Sequence, residues 1–231
     1  EALSTFRIAA EFCESFHGFV FNHNEAVLYE WIEEYDPALF ARIQRLVKAG
    51  SWHIMGGWYL QPDCNLPSGE SFVRQALAGR RYFARRFGVR PTTAINFDPF
   101  GHSRGLVQIL AKSGYDSYVF CRPHDEDLPL PAEEFRWVGF DGSTVVAHRA
   151  FGHYLTHEGK AVEKIRDYLA SGMEHEVGLL LWGIGNHGGG ASREDLEAIA
   201  ALRDDLRAAG TARLVHSIPE RYFAERTSGA A

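Results

Sequence analysis

Short apolar runs alternate with longer helical segments along most of this chain, and that alternation restricts its fold more than any other feature. Strands are predicted at Phe19-Val20-Phe21, Trp52-His53-Ile54-Met55, Val89 to Phe97, Ser117 to Cys121, Thr144 to His148, Val177 to Trp182 and Arg213 to His216. The run from Val177 to Trp182 has no polar member, as expected of a strand covered on both faces. Helices are predicted between the strands. One follows Asn22-His23-Asn24-Glu25 and runs through Glu34. The next covers Ala38 to Ala49, with Leu39, Ile43, Leu46 and Val47 on one face, Pro37 at its start and Gly50 as its stop. A long helix from Ser68 to Arg86 carries a basic side, Arg80, Arg81, Arg85 and Arg86, expected to be solvated. Leu106 to Ser113 has helical spacing and ends at Gly114; Ser192 to Ala209 opens with Asp195 at its third position, similar to a capping box. Strands alternating with helices predict parallel βαβ units.

Polar and small residues gather where the strands end: Asn22 to Glu25, Gly56 to Trp58, Asp98, Arg122, and Asn186 with His187. In α/β sheets that edge meets ligands, and in barrels it is the catalytic face. Asp98 stands between the strand ending at Phe97 and the helix beginning near Leu106. Pro99 removes a backbone donor and fixes the turn, Gly101 permits positive φ, and His102 is close enough in sequence to brace the carboxylate. The glycine run from Gly185 to Gly190 precedes a helix and could cradle a phosphate. It lacks both the Lys-Ser/Thr of a P-loop and the spacing of a dinucleotide fingerprint.

Composition narrows the class. At 231 residues, 45% hydrophobic and 23% charged, the chain reads as one globular domain, 1–231. Net charge is 24 − 30 = −6, which argues against nucleic acid or an anionic membrane as partner. No apolar run reaches the roughly 20 residues of a membrane span, and no basic segment with an apolar core opens the chain. Cys13, Cys64 and Cys121 form no CxxC pair, so neither a zinc ribbon nor a redox motif is present. Reduced, buried thiols in a cytoplasmic protein are expected. A lowered pKa is conceivable at Cys121, beside Arg122.

The run Asn96-Phe97-Asp98-Pro99-Phe100-Gly101-His102-Ser103 resembles the active-site motif of glycoside hydrolase family 38, the α-mannosidases. Gly56-Gly57-Trp58 with Pro62-Asp63-Cys64-Asn65-Leu66-Pro67-Ser68-Gly69-Glu70-Ser71 is similar to the family's segment two elements upstream. Arg122 in Val119-Phe120-Cys121-Arg122-Pro123 matches its arginine one strand later. Trp137-Val138-Gly139-Phe140-Asp141-Gly142-Ser143 resembles its tryptophan and Asp-Gly-Ser segment, and Gly183 to Gly190 a glycine-rich loop of its bacterial branch. The matches keep family order from about Phe19 to His216.

The resemblance implies a seven-stranded β/α barrel, incomplete in this chain, that hydrolyses terminal α-mannosides with retention. Asp98 would be both nucleophile and metal ligand, forming a covalent glycosyl-enzyme, with a second carboxyl roughly 5–5.5 Å away as acid and base. One zinc ion (Zn2+) would hold sugar hydroxyls. Arg122 would orient the Asp98 carboxylate, Trp58 would offer a face to the sugar, and Asn186 and His187 would touch substrate. Trp137 reads as core, and Asp63 as a loop anchor. Where this chain has Asn186 the bacterial pattern often has Asp, and an amide cannot serve as general acid.

Family members carry a His-x-Asp zinc pair on the first strand and a further zinc histidine downstream; neither is matched between Glu1 and Ala231. The chain is therefore expected to be a catalytic-domain fragment, inactive and nearly metal-free by itself, because one carboxylate does not make a tight zinc site. Exposed strand edges of an incomplete barrel would favour self-association into a homo-oligomer. The partner is expected to be an α-mannoside oligosaccharide. Two other classes stay open: an inactive carbohydrate-binding or assembly module, and a metal-dependent polysaccharide deacetylase. The latter needs a His-Ser/Thr-x-x-His pair, and Leu106 stands where the second histidine after His102 belongs.

Overall fold

The computed structural model describes residues 1–173, 175–185 and 189–228. The first half contains α1 (Ala2–Ser15), β1 (Phe21–His23), α2 (Ala26–Tyr35), α3 (Pro37–Ala49), β2 (Trp52–Ile54), α4 (Gly69–Phe87) and β3 (Thr93–Asn96). The second half contains α5 (Gly105–Lys112), β4 (Ser117–Phe120), β5 (Glu134–Val138), β6 (Thr144–Arg149), α6 (Ala161–Ala170), α7 (Arg193–Ala209) and α8 (Pro219–Ser228).

Helix boundaries follow local chemistry. Asp36 caps α3 by accepting from Leu39 N at 3.0 Å, Pro37 supplies the first turn, and Gly50 closes the helix in the left-handed region. Ser192 caps α7, accepting from Asp195 N at 3.0 Å. Asp195 does not complete a capping box: its carboxylate reaches across to Gly159 N at 3.2 Å and Ala161 N at 3.1 Å, at the start of α6. The basic side of α4 is solvated except at Arg80, which donates to the Pro91 carbonyl and covers the Tyr115 ring at 4.6 Å; Arg81, Arg85 and Arg86 are exposed, Arg86 while pairing with Glu33.

β1 and β2 are parallel. β3, β4 and β6 are parallel in that order, with β5 antiparallel outside β6. A hydrogen bond from Gly56 N to Thr93 O, 3.1 Å, joins the end of β2 to the start of β3. The spatial order is therefore β1-β2-β3-β4-β6-β5, and the β5–β6 hairpin turns at Asp141-Gly142. Period-2 alternation divides the larger sheet. Ala94, Tyr118, Phe120, Val145 and Ala147 pack with Phe72 and Ala76 of α4 and Leu106 and Leu110 of α5. Ile95, Val119, Cys121 and Val146 face the other way, against Tyr222 and Phe223 of α8 and against Leu179 and Leu181. Gly79 lets α4 approach the Gly57–Tyr59 backbone: a Cβ there would collide with Gly57 O and Trp58 C.

Two expectations are corrected. The described residues hold six strands in two sheets, not the seven strands of a barrel. The segments 177–182 and 213–216 form no strand. Val177, Leu179 and Leu181 pack to one side and Leu180 and Trp182 to others, as alternation demands, but no partner ladder forms. The Leu181 carbonyl is taken by Lys164 Nζ at 2.8 Å instead. Extended pairing appears only at isolated bridges, Thr156 with Ile184 and Ile184 with Gly190.

Candidate active site

The register of β3 and β4 builds the site. Asn96 lies opposite Phe120, so the residues two positions beyond each, Asp98 and Arg122, emerge side by side at the same sheet edge. Arg122 Nε lies 3.1 Å from Asp98 Oδ1. Both atoms are shielded from solvent, and the contact lacks hydrogen-bond alignment, so it is a charge contact with hydrogen-bonding capacity left open. The two side chains remain 34% and 38% exposed, enough for a ligand to reach them. Phe100, 69% exposed, lies under the Arg122 guanidinium at 5.4 Å and offers an aromatic plane beside the carboxylate.

The turn after β6 supplies the rest. Tyr154 stacks on Phe97 with ring centroids 6.2 Å apart, and His153 lies 5.7 Å from the His124 ring. Burial, then the Arg122 charge, holds His153 below the usual imidazole range. Burial, then the Asp98 charge, raises the Tyr154 phenol. His153, Tyr154 and Phe100 were not singled out by sequence reasoning. For His153 and Tyr154 the available signal was their place in the turn shortly after a strand, the same position that marked Asp98 and Arg122; Phe100 lies within the Asp98 run itself.

Several expected site residues are placed elsewhere. His102 does not brace Asp98: its Nε2 meets Tyr118 OH at 2.8 Å and its ring packs on Phe120 and Trp137, on the α5 side of the sheet. Trp58 is 0% exposed and donates from Nε1 to Ile95 O at 2.7 Å, so it fills the core and has no face for a sugar. Trp137 packs against that same cluster. Asp63 Oδ1 accepts from Asn65 N and Leu66 N, anchoring its loop. Cys121 is not activated: burial pushes its thiol up to about 12 despite the adjacent Arg122. All three cysteines are free and buried. Asn186 and His187 lie outside the described residues.

The described residues do not suit a zinc ion. No three His, Cys, Asp or Glu side chains among them converge, and the group beside Asp98 is a guanidinium, which repels a divalent cation.

The family model for the glycosyl hydrolases family 38 N-terminal domain matches residues 1–229. The chain belongs to glycoside hydrolase family 38. It is 32% identical over 212 residues to alpha-mannosidase G of Dictyostelium discoideum, covering 89% of this chain and 19% of that protein. It is 31% identical over 217 residues to alpha-mannosidase 2C1 of Mus musculus, covering 91% and 20%. The chain thus spans about a fifth of the length of these curated relatives. In fold it is similar to the crystal structure of an alpha-mannosidase from Enterococcus faecalis V583, with a TM-score of 0.83 at 18% identity, covering 98% of this chain and 26% of that one. A putative polysaccharide deacetylase from Mycobacterium smegmatis aligns less closely, with a TM-score of 0.54 at 12% identity over 94% of this chain and 81% of that one.

Proposed function

We propose that this family 38 chain carries the nucleophile of a retaining α-mannosidase acting on non-reducing ends of α-mannoside oligosaccharides. The observation that carries the reading is the Asp98–Arg122 pair, reachable by ligand and set by register at the strand-end edge. In the first step an Asp98 oxygen bonds to the anomeric carbon while that carbon's bond to the leaving oxygen breaks, and the leaving oxygen takes a proton. Water then attacks the same carbon, giving its proton to the group that had protonated the leaving oxygen, which releases mannose and restores the carboxylate. Arg122 orients Asp98 for attack. Burial and the Arg122 charge hold His153 below its ordinary range, which makes it a poor proton donor to the leaving oxygen. The leaving-group donor falls to another residue.

The barrel closure of the resemblance belongs to this reading as a proposal; the described residues do not suit its zinc, and no step here passes through a metal. Three free, buried thiols support a cytoplasmic setting, and the exposed Trp31 and Tyr35 of α2 support self-association. The deacetylase alternative is disfavoured because Leu106, at the second histidine's position, is buried core. The test is covalent trapping with a fluorinated mannosyl reagent, read by peptide mass spectrometry, on this chain and on a version extended at both ends. Label on Asp98, abolished by Asp98→Asn, is expected in the extended form. Absence of label there, with the protein folded, points to an inactive carbohydrate-binding module instead.

A further inference from the structure

Lys164, near the start of α6, is partly buried, with its Nζ directed to the turn after β6. Its Nζ donates to two main-chain carbonyls from separate segments: His153 O, in the turn after β6, and Leu181 O at 2.8 Å. The same two segments meet again just beyond, where Thr156 N donates to Gly183 O at 2.8 Å and Gly183 N to Thr156 Oγ1 at 3.3 Å. α6 is itself tethered, because Asp195 of α7 accepts from the backbone N–H groups of Gly159 and Ala161 at its start. A chain of polar contacts therefore runs from α7 through α6 to the turn that places His153 and Tyr154 beside Asp98 and Arg122.

We propose that Lys164 is a positioning residue of this site: its ammonium ties the His153–Thr156 turn to the Leu181–Ile184 segment and so holds Tyr154 and His153 against Phe97, Asp98 and Arg122. The inference rests on reading Asp98 as the reacting carboxylate. Neither segment belongs to a β-ladder of the sheet, so side-chain contacts must fix what strand pairing does not. An ammonium can donate to both carbonyls at once, where an apolar side chain would leave both unsatisfied. Burial lowers the Lys164 pKa to about 8, the cost of placing a cation here, and that cost is offset by the two carbonyl contacts.

The test compares Lys164→Met, which keeps the stem and loses the donors, with Lys164→Arg, which keeps a cation and several donors. Nuclear magnetic resonance would read amide exchange at Thr156, amide exchange at Val119 inside the sheet, and the ring-to-ring NOE between Phe97 and Tyr154. The expected result for Lys164→Met is exchange at Thr156 faster by about tenfold or more, loss of the NOE and unchanged protection at Val119, with both changes reversed in Lys164→Arg. Unchanged exchange at Thr156 would overturn the proposal. So would faster exchange with the NOE intact, because the contact would then be a local staple that positions nothing. If Lys164→Met loses protection at Val119, Lys164→Gln, whose one amide reaches a single carbonyl, gives the same comparison. Mannosyl trapping on the extended form should slow by about tenfold or more in the Met variant, as expected when a site group shifts by about an ångström. Unlabelled wild type would count against the glycosidase reading, and exchange and NOE would still decide the clamp.

Discussion

The indole of Trp58 donates its one hydrogen bond inward, to the Ile95 carbonyl at the centre of β3, and its ring lies beside Tyr115. Trp58→Phe would leave that carbonyl unpaired in the core, at about 1–3 kcal/mol for the lost partner. The expected outcome is a lower urea midpoint with mannoside affinity unchanged. A variant of normal stability that binds mannosides more weakly would restore Trp58 as a sugar platform. Asp98 and Arg122 were legible in the sequence because parallel strands in register bring residues two past each end together, whichever helices lie between. His102 was misread because proximity in sequence says nothing about which side of the sheet a turn folds toward, and it turned to Tyr118. With a guanidinium beside the carboxylate and no convergent trio among the described residues, added zinc should leave the melting temperature of this chain unchanged at micromolar concentration. A specific site would stabilise by about 2.7 kcal/mol at a hundredfold excess over its dissociation constant. An upward shift with stoichiometric zinc on elemental analysis would show that this donor set has been misread.

At the level of elements, α6 and α7 depend on one carboxylate. Asp195 is 1% exposed and receives hydrogen bonds from Ser192 Oγ at 2.6 Å, Gly159 N and Ala161 N. Asp195→Ala removes the partner of two orphan donors at the α6 start and of the Ser192 cap. A loss of about 1–2 kcal/mol is expected, as for a lost N-cap, with amide exchange rising first in the opening turn of α6. A uniform rise through α7 alone would mean that the contact to α6 carries little. Ser192 and Asp195 were visible as a helix start, but not the reach across to another helix, since capping rules describe one helix at a time. The same limit explains the segment 177–182. Its alternating burial was legible as an extended run, whereas a strand also needs a neighbour's ladder, and Lys164 occupies the carbonyl of Leu181 instead. β5 was missed for the opposite reason: Phe135 and Trp137 pack inward between exposed Arg136 and Val138, a short alternation that the hairpin with β6 turns into a strand.

Across the whole molecule, the sheet's two faces each enclose a histidine that burial keeps neutral. His148, 1% exposed, lies on β6 with Nδ1 3.2 Å from Tyr222 OH of α8; His102 lies on the α5 side against Tyr118. Burial is the first cause in both, and each pKa falls from 6.5 to about 4. The folded pKa is thus below the unfolded one, so between pH 6.5 and 4 the unfolded chain binds more protons, and stability rises with pH across that window. Their contribution is fully present above about pH 6.5 and is lost progressively as pH falls toward 4. Because α8 closes one face and α5 the other, protonating either histidine loosens a different layer, and the two effects should add as for distant sites. Urea midpoints measured from pH 7.5 to 4.5 should fall steadily in the wild type. His102→Gln, which keeps a polar group near Tyr118 without a titrating ring, should shallow that slope while lowering stability at pH 7.5. A slope identical to the wild type's would mean that the His102 ring takes up its proton in the folded state as readily as in the unfolded one.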